Sequence, residues 1–90
     1  MQKHYKLKIL GKVQGVWYRG STRQKAQELG VKGFVQNETD GSVYAEIEGD
    51  EAQLQQLIDW CKQGPELARV QKVEVTEGVF TDFKAFEIRR

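Results

Sequence analysis

The sequence predicts an α+β fold in which two helices cover one face of a mainly antiparallel sheet. Three observations predict it. Apolar residues alternate with polar ones in five separate stretches and recur at helical spacing in two others. These stretches follow one another as β-α-β-β-α-β with a short terminal β, so two strand–helix–strand units flank a hairpin. Finally, 90 residues bury somewhat over ~60 % of the unfolded surface, which allows one modest core and no second one.

Each element has its own signal. Tyr5-Lys6-Leu7-Lys8-Ile9 has the period of a half-buried strand, and the glycine-rich stretch GKVQGVWYRG, residues 11–20, ends it. Ser21 or Thr22 is the expected N-cap of the first helix, with Gln24 as capping-box partner of Ser21. Thr22, Ala26 and Leu29 share a helical face, Gly30 stands where a C-cap belongs, and Arg23, Lys25, Gln27 and Glu28 are expected mostly in solvent. Val31 to Asn37 reads as the second strand, and Asp40-Gly41 is a hairpin signal. In the third strand Val43, Ala45 and Ile47 alternate with Tyr44, Glu46 and Glu48. Asp50 is the cap of the second helix, whose Leu54, Leu57, Ile58 and Cys61 form an i, i+3, i+4, i+7 stripe ended by Gly64-Pro65. Val70 to Thr76 is the fourth strand, and Lys84 to Ile88 a short last one with Phe86 and Ile88 on one face. The order is that of a ferredoxin-like α/β sandwich, with two helices stacked on one side of the sheet.

Composition excludes several functions. A formal net charge of +1 argues against a dedicated nucleic-acid binder, which carries a basic excess. No apolar run approaches the length of a membrane span, and MQKHYKLKIL lacks the apolar core of a signal peptide. Cys61 is the only cysteine, so neither an internal disulfide nor a thiolate metal cluster is expected. Together these features point to a cytoplasmic protein. His4 is the only histidine and lies near an end expected to fray, which disfavours a histidine-based triad or a multi-histidine metal site. The chemistry is left to arginine, lysine, carboxylates, amides and backbone.

The stretch that ends the first strand holds Gly11, Gly15 and Gly20. It matches neither a P-loop nor a dinucleotide fingerprint, and a tight turn would account for its glycines. A strand-to-helix loop nonetheless presents successive N–H groups, and a helix N-terminus adds partial positive charge, a combination that binds phosphate-like anions. Arg19 stands where its guanidinium could grip phosphate oxygens in bidentate fashion.

ILGKVQGVWYR and GFVQNETDGSVYAEIEG resemble the two signature stretches of the acylphosphatase family. The first is an aliphatic residue, a Gly, Val-Gln-Gly-Val, an aromatic and Arg; the second is Gly-aromatic-Val, a polar residue, Asn, then Gly, Val and a more distant Gly. Leu29-Gly30, Trp60-Cys61 and Phe86-Glu87-Ile88-Arg89 also resemble the family, and the likeness runs from about residue 4 to residue 90. Residues 1–90 therefore read as a single domain of this kind. Tyr18 departs from the pattern, standing where the family usually has Phe, and Trp17 fills a variable slot at the expected mouth of the site.

The resemblance implies an enzyme that hydrolyses acyl phosphates, the mixed anhydrides of carboxylic and phosphoric acids, and it implies the ferredoxin-like fold independently. It places the phosphate-binding arginine on Arg19 and the water-orienting asparagine on Asn37. The phosphate cradle falls on Gln14, Gly15, Val16, Trp17, Tyr18, Arg19 and Gly20, chiefly through backbone N–H groups. No cofactor, metal, nucleic acid or membrane is expected to take part, and a monomer is the default.

Other residues read as structural. Cys61 belongs to the core stripe, Trp60 packs at its edge, and Lys12 is solvated. Glu46 with Glu48 and Glu74 with Glu77 are expected to be solvated charges without a convergent partner. The competing function is a regulatory ligand-binding module on the same fold, since fold does not fix function. An RNA-recognition domain is disfavoured because Lys32-Gly33-Phe34 echoes only the start of its motif, on the wrong strand.

Overall fold

The computed structural model describes residues 1–90. Its elements follow in the expected order: β1 (Gln2–Lys12), α1 (Tyr18–Leu29), β2 (Lys32–Asn37), β3 (Val43–Asp50), α2 (Glu51–Gln63), β4 (Arg69–Glu77) and β5 (Phe86–Arg89). They form one five-stranded sheet in the order β4-β1-β3-β2-β5, antiparallel throughout except where β5 runs parallel to β2. β1 outruns its alternating centre because β3 pairs with it from Gln2 to Ile9 and β4 from Tyr5 to Lys12. Neither helix is long and apolar enough to cross a membrane.

The alternation read from the sequence sorts the two faces of the sheet. Leu7, Ile9, Val43, Ala45 and Ile47 point to the helices and are wholly buried, as are Leu54, Leu57 and Cys61 of α2. Each fully buried Val, Leu or Ile side chain contributes roughly 1.5–3 kcal/mol. α2 starts as expected, with a capping box between Asp50 and Gln53. Two glycines serve the sheet. A Cβ on Gly33 (φ 145°) would collide with the Glu46 carbonyl of β3, and one on Gly11 (φ 128°) with the Arg69 carbonyl of β4, at the bulge that follows Leu10.

α1 starts earlier than its sequence signals indicate. Its N-cap is Trp17, not Ser21 or Thr22, and no side chain closes the cap. The Thr22 hydroxyl donates back to the Tyr18 carbonyl at 2.7 Å, and the Ser21 amide donates to the Trp17 carbonyl at 3.1 Å. Both residues therefore lie inside the helix. The reason is tertiary: Tyr18 is a core residue, 2 % exposed. Its hydroxyl donates to the Cys61 carbonyl at 2.7 Å, and its ring packs on Trp60 with centroids 5.8 Å apart. Anchoring that ring fixes the first turn three residues ahead of the capping residues. Burial raises the Tyr18 phenol far above its usual range and pushes the Cys61 thiol up to about 12, so Cys61 is a core thiol as expected.

The outward face of the sheet holds a second departure. His4 and Glu48 are each only 2 % exposed, where a frayed terminus and a solvated charge were expected. His4 Nδ1 lies 2.6 Å from Glu48 Oε2 and His4 Nε2 lies 2.8 Å from Glu46 Oε1. The Glu48 carboxylate also accepts the amides of Thr81 and Phe83. Its partners come from residues 78–85, which cross over this face between β4 and β5. The Phe83 ring meets Phe34 edge-on at 5.8 Å, and Arg89 lies 3.8 Å from the Phe34 centroid on the same side. Glu74 and Glu77 are exposed, as the sequence implies.

Candidate active site

A cleft of about 730 Å³ opens where the start of α1, the end of β2 and the end of β5 converge. The loop from Val13 to Trp17 forms its floor; Val13 and Val16 anchor it in the core, and one polar side chain ties it to the neighbouring hairpin. Gln14 Nε2 donates to the carbonyls of Glu38 and Ser42, both at 2.8 Å, which fastens the loop to the hairpin following Asn37. The hairpin is itself braced by Asp40, which accepts from the Ser42 hydroxyl, from the Ser42 amide at 2.9 Å and from Lys8 Nζ at 3.0 Å. Those hydrogen bonds, the Ser42 pair foremost, hold the Asp40 carboxyl well below the usual carboxylate range. The two signature stretches are thus bound into one unit.

The amide N–H groups from Gln14 to Gly20 have no protein acceptor, since the first amide to close onto α1 is that of Ser21. A run of free amides at a helix N-terminus is electropositive and suits an anion. Arg19, in the first turn of α1, is half-buried and makes neither an ion pair nor a hydrogen bond with the protein. Asn37, the last residue of β2, is likewise half-buried with its carboxamide unpaired. Both side chains line the cleft, together with Gly15, Trp17, Tyr18 and Gly20. Gln14 and Val16 do not: Gln14 is turned to the hairpin and Val16 is 6 % exposed. Only their backbones are available there.

The wall also contains residues that the sequence reading assigned elsewhere. Arg23, Gln24 and Gln27 of α1, with Ile88 of β5 and Arg90 just beyond it, complete the cleft. Gln24 is a wall residue and not a capping partner. The signal was present: Arg19, Arg23 and Gln27 are spaced i, i+4, i+8 and share one helical face once the helix is started at Tyr18. No Asp, Glu, His or Cys lines the cleft, and no group of three or more such residues elsewhere is arranged to hold a metal ion.

The chain is similar to known proteins over nearly its whole length. The family model described as Acylphosphatase matches residues 5–88. A relative named acylphosphatase from Acaryochloris marina is 56 % identical over 82 residues, which cover 91 % of this chain and 88 % of the relative. The solved structure of an acylphosphatase from Coxiella burnetii superposes with a TM-score of 0.95 at 35 % identity, covering 98 % of this chain and 93 % of its own. The crystal structure of acylphosphatase from Bacillus subtilis gives a TM-score of 0.95 at 31 % identity, covering both chains fully.

Proposed function

The chain belongs to the acylphosphatase family and hydrolyses acyl phosphates to carboxylate and inorganic phosphate; from that premise we propose that Arg19 and the amides of Gln14 to Gly20 hold the phosphoryl group while Asn37 orients the attacking water. The observation that supports this assignment is the convergence of two unpaired polar side chains and a run of free amides on one cleft. An acyl phosphate is already activated, because carboxylate is a good leaving group. The protein needs only to position the phosphoryl group, neutralise charge on its equatorial oxygens and place one water in line.

The amides and the Arg19 guanidinium do the first two jobs with fixed dipoles and a permanent charge. The Asn37 carboxamide oxygen accepts from the water and aims its lone pair at phosphorus. Water attacks, the bond between phosphorus and the acyl oxygen breaks, and the carboxylate departs with the bonding electrons. A phosphate oxygen takes the water's proton, so the scheme requires no histidine at the site. In this reading residues 1–90 act as one monomeric, cytoplasmic catalytic unit without metal or cofactor and without a nucleic-acid partner.

Two measurements test the assignment. Inorganic phosphate, which mimics both product and bound phosphoryl group, is expected to inhibit benzoyl phosphate hydrolysis competitively. Purely noncompetitive inhibition would place the anion outside the cradle. Dialysis against EDTA is expected to leave kcat unchanged, because no carboxylate, imidazole or thiol lines the cleft. Activity lost to EDTA and restored by a divalent ion would overturn the metal-free scheme.

A further inference from the structure

We propose that the Trp17 indole is the platform on which the substrate's acyl group stacks, making this enzyme selective for planar aromatic acyl phosphates over small aliphatic ones. The proposal rests on the reading of the neighbouring amides and Arg19 as the phosphoryl cradle.

Trp17 is held where a bulky side chain is costly. Its backbone lies in the left-handed region, at φ 68° and ψ 22°, although its side chain contributes no cap to α1. The indole is not used by the core either: it is 83 % exposed, whereas Trp60 packs against the core. Its six-membered ring rests over the first turn of α1, where a Cβ placed on Gly20 would lie 3.9 Å from both Cδ2 and Cε3. The ring edge thus lies beside Gly20, and its exposure leaves a broad apolar surface in solvent.

That surface adjoins the cradle. The Trp17 backbone belongs to the run of free amides, and its side chain lines the same cleft as Arg19 and Asn37. A phosphoryl group held by those amides carries its acyl group out past the indole. The cleft offers little other apolar area. Val13 and Tyr18 are 1 % and 2 % exposed, Ile88 is half-buried, and Arg23, Gln24 and Gln27 are polar, exposed residues. Trp17 is therefore the side chain that separates an aryl from an acetyl group. Covering one indole face with a ring of similar size removes enough apolar area from water for about a tenfold difference in kcat/KM.

The test compares kcat/KM for benzoyl phosphate and acetyl phosphate in the wild-type chain and in Trp17→Gly, Trp17→Asn and Trp17→Phe. Glycine and asparagine tolerate the left-handed backbone, so the first two variants keep the loop geometry while removing the ring. The benzoyl-to-acetyl ratio is expected to fall about tenfold in both and to stay near wild type in Trp17→Phe. Trp17→Gly is also expected to melt at a higher temperature than wild type, because it relieves the strained backbone. A ratio unchanged in Trp17→Gly and Trp17→Asn would overturn the platform while leaving the cradle intact. If the wild-type chain hydrolyses neither compound, the cradle reading fails and this proposal with it. A second arm needs no variant: benzylphosphonate is expected to quench the tryptophan emission of the wild-type chain and to compete with phosphate more tightly than methylphosphonate. Equal inhibition by the two phosphonates, with no quenching, would again overturn it.

Discussion

Arg19→Ala and Asn37→Ala are expected to lose activity in different ways. In the proposed mechanism Arg19 contacts the phosphoryl group in the ground state and in the transition state, and its charge matters more as the group loosens. Arg19→Ala is therefore expected to weaken phosphate inhibition and to lower kcat by about 10²-fold or more, the scale of a lost electrostatic stabiliser. In the same scheme Asn37 acts on the water and barely on the bound anion. Asn37→Ala is expected to lower kcat on the order of 10²-fold while phosphate inhibits nearly as well as before, because the cradle amides are untouched. Both variants are expected to melt close to wild type, since neither side chain has a protein partner to lose. The measurements are kcat, the phosphate inhibition constant and a thermal melt for each variant. A folded Asn37→Ala with near-normal kcat would remove the asparagine from the mechanism. An Arg19→Ala that binds phosphate normally would do the same for the arginine.

How much of this was legible in the sequence depended on how local each signal is. The stripe of Leu54, Leu57, Ile58 and Cys61, the cap at Asp50 and the alternation in β3 are properties of neighbouring residues, and the structure agrees with them. The pairing of Arg19 with Asn37 carried no periodicity and no spacing rule. It came from resemblance, and the fold places both on one cleft by setting the end of β2 beside the start of α1. The start of α1 was misread because the capping preference of Ser21 is weaker than the burial of Tyr18 against Trp60 and the Cys61 carbonyl, a contact 43 residues away in the chain. Glu48 was misread because two of its partners are backbone amides. No residue type announces the N–H groups of Thr81 and Phe83, 33 and 35 residues downstream.

Glu48 carries the largest expected stability effect. Its carboxylate is buried on the outward face of the sheet, and it accepts from His4 and from the amides of Thr81 and Phe83. Each nitrogen of the His4 ring faces a carboxylate oxygen, at 2.6 Å for Glu48 and 2.8 Å for Glu46. Glu48→Ala leaves one nitrogen of the buried His4 ring unpaired and removes the side-chain acceptor of the Thr81 and Phe83 amides, two of the bonds that tie residues 78–85 to the sheet. Breaking a buried pair of this kind costs about 3–5 kcal/mol, a large fraction of the stability of a small domain. The melting temperature is expected to fall by roughly 15 °C or more. Glu87→Ala is the control, removing an exposed carboxylate paired with Arg89 at 3.8 Å, and is expected to melt near wild type. The pH dependence has a definite sign. Burial opposes the charge on Glu48, but the bonds from His4, Thr81 and Phe83 outweigh it and hold the carboxyl below its usual value in the folded state. Its contribution is thus fully present above the unfolded carboxyl range, near pH ~4.3, and is lost as pH falls through the lower folded value. Melts between neutral pH and pH ~3 are expected to show a steeper acid loss for wild type than for Glu48→Gln, which has no charge to lose. Equal acid slopes for the two proteins, or a Glu48→Ala that melts with the Glu87→Ala control, would show that this buried carboxylate does not hold the β4–β5 segment to the sheet.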